Sequence, residues 1–306
     1  MNNVYNTELS TSWSKRLAQL MRHYPLTCYF LLAFALTWIW EVLALVVLHL
    51  PPLLVLTPGP FIGPTFSAFL MTVLIEGKVG VLRLLRRYIL WRVLWPWYLL
   101  VFLGLPALFL LSLIALPGAL AAFHTPTVAL GLNYLTTYFT IFFLGGPLGE
   151  EPGWRGFALP RLQQRSGPLV GSLILGVLHG LWHLPLYLFI PGYNGTGTGW
   201  LGIGVPFILF IVSSIALTAV FTWVFNNTGG SLLLMMLLHA SVNTASQTLL
   251  LFPSLAPTRQ LDLIHTLILC MVALLIIVAT RGNLSGTQNQ RAAISQAPAP
   301  GASSSL

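Results

Sequence analysis

In 306 residues the chain is 56% hydrophobic and 7% charged, with 14 basic and 6 acidic residues and a net charge of +8. Soluble domains carry about 25% charged residues. This composition therefore excludes a soluble globular protein and points to an all-α fold, a polytopic membrane helical bundle. The basic residues fall near the ends of apolar runs, which is orientation signalling rather than a nucleic-acid-binding face.

Taken in order, residues 1–24 form a polar, basic N-terminal segment on the cytoplasmic side. The first apolar run, about Leu26 to Leu50, is too long for a signal-peptide core and reads as a retained span that stops at Pro51-Pro52. A span needs about 20 apolar residues. Seven more stretches qualify: about Leu54 to Ile75, Leu94 to Leu116, Leu132 into the acidic stretch, Pro168 to Ile190, Leu201 to Phe225, Ser231 to Phe252, and Leu261 to Thr280. The second of the eight contains two Gly-Pro pairs, Gly59-Pro60 and Gly63-Pro64. Between the second and third, Leu82 to Trp97 mixes Arg with Leu and Trp. It reads as an amphipathic interfacial linker or as a basic loop anchored by aromatics. The Gly/Thr-rich loop 191–200 reads as flexible and external, without phosphate-cradle spacing. The units expected are residues 25–131 (three spans and the linker), 132–252 (the core), 253–282 (the last span) and 283–306, a small and polar tail without a periodic apolar face that reads as disordered.

Lysine and arginine set the orientation. With eight spans and both termini cytoplasmic, every basic residue except Arg259 falls on the cytoplasmic side. The expected setting is the cell membrane, crossed many times. Cys28 and Cys270 lie inside apolar runs and show neither a disulfide framework nor metal-ligand spacing.

The polar residues inside these spans are few. Glu150 and Glu151 stand side by side in Gly145-Gly146-Pro147-Leu148-Gly149-Glu150-Glu151-Pro152-Gly153-Trp154-Arg155-Gly156, with Arg155 four residues after Glu151. Adjacent carboxylates at membrane depth repel and resist desolvation, at several kcal/mol per ion. Four-residue spacing also puts His179 and His183 on one helix face, and His239 and Asn243 on another. If Gly145-Gly146-Pro147 kinks its segment, Glu150, His183 and Asn243 lie about 18–22 Å from the basic end, counted at 1.5 Å per residue. Three segments then deliver polar groups to one layer. A carboxylate there can act as general base toward water. Imidazoles can hold a metal or stabilise an oxyanion, and an Asn amide can orient water. No serine or cysteine of the cluster has a base partner, and H-E-x-x-H is absent. Each residue also has a structural reading: span histidines and Glu41 as interhelical hydrogen-bond partners, and the acidic pair as an ion pair with Arg155.

Glu150-Glu151-x-x-x-Arg155, a following span histidine, and His239-x-x-x-Asn243, in that order and each in its own apolar segment, resemble the CAAX protease and bacteriocin-processing family (CPBP, or Abi) of intramembrane proteases. The resemblance covers about Leu132 to Phe252. It departs at the family's F-x-x-x-H motif. Aligned on His183, the aromatic falls on His179; aligned on His179, it falls on Leu175. Trp182-His183-Leu184-Pro185 resembles the wording of bacterial members and favours His183, leaving His179 as an accessory. The resemblance implies Glu150 as the base that activates water and Glu151 as its partner, held by Arg155. It implies His183, His239 and Asn243 as ligands of a metal or of oxyanion and water, with Glu150, His183 and His239 as the metal set. Zinc or another divalent metal is implied by one description of the family and a metal-free glutamate mechanism by another.

The implied activity is that of a CAAX-prenyl-protease-type intramembrane endopeptidase. It would act on a membrane-associated protein or peptide, in contact with lipid and without nucleic acid. The alternative is a non-catalytic immunity or binding protein of the same family. A proton-relay transporter is disfavoured, since no inverted repeat is visible.

Overall fold

The computed structural model describes residue 16 and residues 18–190, 193 and 199–286. Most of the N-terminal segment, the greater part of the 191–200 loop and residues 287–306 of the expected tail, with Lys15 and Arg291, lie outside the described residues. Among the described residues there is no strand. The protein is a helical membrane bundle.

Helix α1 (Pro25–Val42) starts with proline in its first turn, where the missing N–H costs nothing, and runs on through a π-helical turn, Leu43–Val47. The second expected span is broken by its prolines. Two short pieces, Pro52–Leu56 and Pro58–Pro60, lead into a π-helical turn, Phe61–Thr65, which accommodates Pro64 before α2 (Phe66–Tyr88). Residues 90–94 carry no helix, so the arginine-rich linker is interrupted between α2 and the helical turn that starts at Trp95. The chain then returns through Trp95–Leu99 and Leu100–Gly104 into α3 (Leu105–Ile114).

Next comes α4 (Val128–Leu144), capped by the Thr127 hydroxyl, which accepts from the Leu130 N–H. The chain breaks at Gly145-Gly146 and resumes as α5 (Pro147–Glu151), a π-helical stretch Pro152–Ala158, and α6 (Leu159–Trp182). Gly146, at φ 104°, makes the expected kink. Gly167, at φ 78°, makes a second break just before Pro168. The bundle is completed by α7 (Val205–Asn227), α8 (Leu232–Thr244) and α9 (Arg259–Ala279).

By length and composition five of the described helical paths can cross a membrane: Pro25–Val47, Trp95–Ile114, Val128–Phe189, Trp200–Asn227 and Arg259–Ala279. The five do not by themselves establish the expected eight. Val128–Phe189 would be about 93 Å long if straight, some three times the hydrocarbon thickness, and is divided by the breaks at Gly146 and Gly167. Neither the expected second span nor the seventh is among the five: the second is interrupted at Thr57 and its helix runs on into the charged end of α2, and α8 gives way after 13 residues to a 3-10 stretch, Ala245–Leu251. The Leu284 side chain is buried and its carbonyl accepts from the Asn226 amide at 3.1 Å, so residues just after α9 dock on the end of α7.

Close packing depends on small residues, as it must where lipid supplies no hydrophobic drive between helices. A stripe on α6 faces α7. The Ser172 hydroxyl donates to Thr222 Oγ1 at 2.7 Å, and the Gly176 carbonyl accepts from Ser214 Oγ at 3.0 Å. A Cβ on Gly176 would lie 2.6 Å from the Ile215 Cα, so no larger residue fits. Likewise, a Cβ on Gly149 would lie 2.8 Å from Pro60 Cβ, and one on Gly153 would lie 2.7 Å from Pro64 Cβ. The Gly-Pro segment thus wraps the helix that carries the acidic pair, and Thr65 Oγ1 donates to the Gly149 carbonyl at 2.6 Å. Around this contact the main core gathers Tyr29, Met71, Trp154, Phe157, Leu175 and Met235.

Candidate active site

The site is built outward from α5. Its helix starts at Pro147, and the π-helical stretch that follows is buried from Pro152 to Ala158. Both carboxylates are therefore carried inside the bundle: Glu150 is 4% exposed and Glu151 0%. Their surroundings differ. Glu151 Oε1 accepts from Arg155 at 2.9 Å and from His239 Nδ1 at 2.7 Å. Arg155 is itself 1% exposed, and its guanidinium lies 4.4 Å from the Phe221 ring centroid. Glu151 is thus locked between α6's leading segment and α8. Its second oxygen, Oε2, and Arg155 Nε are buried without a protein hydrogen-bond partner among the described residues.

Glu150 faces the histidines of α6. Its Oε2 accepts from His179 Nε2 at 2.9 Å and from the Trp154 indole at 3.4 Å. His183 Nδ1 lies 3.0 Å from the His179 carbonyl. A carbonyl can only accept, so Nδ1 carries the proton and the neutral ring keeps its lone pair on Nε2. The rings of His179 and His183 have centroids 5.2 Å apart, and those of His179 and His239 6.2 Å apart. Aromatic walls enclose the group: Trp154 is 5.2 Å from His179 and 5.7 Å from Trp182, and Phe210 is 4.9 Å from His183.

Three of the four expected partners of Glu150 and Glu151 are brought together: Arg155, His183 and His239. Asn243 is not part of this contact set. It is exposed, and its amide donates to the Gly145 carbonyl at 3.4 Å, bracing the break that precedes Glu150. Two residues gain roles over the sequence reading. His179 touches Glu150 directly, where an accessory position beside His183 was expected. Trp154 joins it through its indole N–H, and Glu150-x-x-x-Trp154 repeats the spacing of Glu151-x-x-x-Arg155. Glu41 is 2% exposed; its Oε2 has no protein hydrogen-bond partner among the described residues.

For a metal, the fitting donors are Glu150, His179 and His183, whose ligand atoms lie within 4.8 Å of one another. This grouping differs from the expected set of Glu150, His183 and His239 in holding His179 and not His239. His239 directs its Nδ1 to Glu151, whereas His179 lies against Glu150.

Residues 131–245 match the model of the family described as Type II CAAX prenyl endopeptidase Rce1-like. Over this range the chain is similar to that family. The matched range holds every candidate site residue. The chain is also similar to the CAAX prenyl protease 2 of Methanococcus maripaludis, with 29% identity over 186 residues. That alignment covers 58% of this chain and 64% of the relative, so the chain spans under two thirds of the relative's length. Within the matched range, α5, α6 and α8 each contribute to a single polar cluster that is otherwise walled by aromatic and aliphatic side chains.

Proposed function

We propose that this chain is an intramembrane endopeptidase of the CAAX prenyl protease type, which hydrolyses a peptide bond of a membrane-associated protein by water activated at Glu150. The observation that carries this reading is the inequality of the two carboxylates. Glu151 is held by Arg155 and His239, which leaves it the supporting role. Glu150 stands among His179 and His183, the arrangement a general base needs toward a bound water. In this scheme the water oxygen attacks the scissile carbonyl carbon while Glu150 takes its proton. The C–N bond then breaks, and the same proton passes to the leaving amine. His179 orients the Glu150 carboxylate through its 2.9 Å hydrogen bond. His183 offers Nε2 to the water. Buried apolar and aromatic walls keep other water out and strengthen each of these contacts.

A divalent metal such as zinc, where bound, would be held by Glu150, His179 and His183 and would polarise the scissile carbonyl. In the proposed topology the arginine-rich loops face the cytoplasm, as the positive-inside rule requires, and the substrate reaches the site from lipid or its cytoplasmic border.

The test is Glu150→Gln in the full chain, reconstituted in vesicles with a prenylated C-a-a-X peptide and a panel of membrane-anchored peptides. Cleavage is expected to fall by about 10²–10⁴-fold, the range for loss of a general base, with the thermal unfolding midpoint little changed. Full activity in this variant would sink the mechanism.

A further inference from the structure

A second charged cluster lies at the basic end of the bundle, away from the carboxylate pair. Two cavities of about 350 and 280 Å³ open there. Arg161 and Gln164 line both, which makes them two lobes of one cleft between the start of α1, α2 and the beginning of α6. Arg165 lines one lobe, and Arg83 and Arg87 line the other. Among the described residues the one carboxylate of the lining is Glu76, which pairs with Arg83 at 3.1 Å and with Arg161. Four guanidinium groups thus meet one carboxylate.

Orientation signalling alone asks only that arginines lie near the membrane surface. Two of these are fixed more tightly. Arg161 donates to the Phe157 carbonyl at 2.9 Å and lies 3.8 Å from that residue's ring centroid. Arg87 donates to the Gly156 carbonyl at 3.4 Å and lies 5.8 Å from the Phe225 centroid. Both are only partly exposed, and both brace the π-helical stretch that follows the acidic pair. Preorganised guanidinium forks with charge left over are the standard receptor for a phosphate oxygen. The remaining walls include Leu26, Ile75 and Leu84, apolar surface of the kind an acyl chain covers. The volume is at the small end of ligand clefts and admits a headgroup rather than a macromolecule.

We infer that this arginine-lined cleft binds a phosphate-bearing anion, which engages Arg83, Arg87, Arg161 and Arg165 and competes with Glu76 for two of them. The anion can come from an anionic lipid headgroup or from free phosphate. The inference stands on the cleft alone and does not depend on the proteolytic reading.

The experiment uses the full chain and reads thermal unfolding and binding. Its arms are phosphatidylcholine vesicles, phosphatidylcholine with phosphatidylglycerol, and inorganic phosphate added to phosphatidylcholine. Stabilisation by phosphatidylglycerol but not by phosphate assigns a lipid headgroup; stabilisation by phosphate as well assigns the free anion. Arg83→Gln and Arg165→Gln, both at exposed side chains, are each expected to weaken binding by about tenfold, the loss of one charge-assisted contact. Glu76→Gln is expected to strengthen it. Arg86→Gln removes an exposed charge on the same helix that does not line the cleft, and is expected to change nothing. No stabilisation in any arm overturns the inference. So does an Arg86→Gln effect as large as that of Arg83→Gln, which means attraction to surface charge only.

Discussion

The carboxylate layer and the arginine cleft are made from the same parts. Each has a glutamate shared between two donors and a guanidinium lying over a phenylalanine: Arg155 over Phe221 in one, Arg161 over Phe157 in the other. They differ in access to water. In the layer, the Arg155 and Glu151 side chains are 2% and 0% exposed; in the cleft, Arg83 and Glu76 are 63% and 29% exposed. Burial makes the first set interdependent, because each charge depends on its protein partners for the solvation it has lost. The second set keeps water as an alternative partner, and each pair contributes little. The same residue types therefore form a fixed constellation at one depth and an adaptable receptor at another.

This contrast can be broken by substitution. The largest effect is expected on catalysis at the layer: His179→Ala should lower peptide cleavage about as far as Glu150→Gln, by 10² or more. A His179→Ala variant with unchanged turnover would return His179 to a packing role. Next comes stability. Arg155→Met leaves Glu151 buried with His239 alone, and should cost about 3–5 kcal/mol in denaturant unfolding of the vesicle-reconstituted chain. A loss below 1 kcal/mol would mean that water reaches Glu151. Gly176→Val should cost about 1–3 kcal/mol through overpacking against α7, seen as a lower unfolding midpoint and weaker protection of α7 amides from exchange. The smallest effect belongs to the cleft. Arg83→Gln in phosphatidylcholine should change stability by about 0–1 kcal/mol; a larger loss would make its pair with Glu76 structural.

Much of the fold was legible because apolar runs and proline punctuation act locally. Gly145-Gly146-Pro147 announced a break before Glu150, and Gly146 supplies it with φ 104°. The acidic pair stood out by rarity, four-residue spacing tied Arg155 to it, and depth along the spans brought His183 and His239 to the same layer. The count of spans was less legible. An interruption at Thr57, just before Pro58, divides the second apolar run, and α8 is shorter than its apolar run. Hydropathy reports composition over a window and is blind to where a helix stops.

The sequence by itself determined that this is a membrane bundle, where its charge is concentrated, and that a pair of glutamates sits beside histidines at similar depth. Periodicity gives the face of a helix and, with rise per residue, a depth. It does not give the rotation of one helix against another. Only the tertiary structure decided that α6 turns His179, rather than His183 alone, toward Glu150. It also decided that His239 locks Glu151 instead of joining the metal-capable set, and that Asn243 braces Gly145 from the outside. Those choices follow from close approach at Gly149, Gly153 and Gly176, where the absence of a side chain lets neighbouring backbones set the rotation.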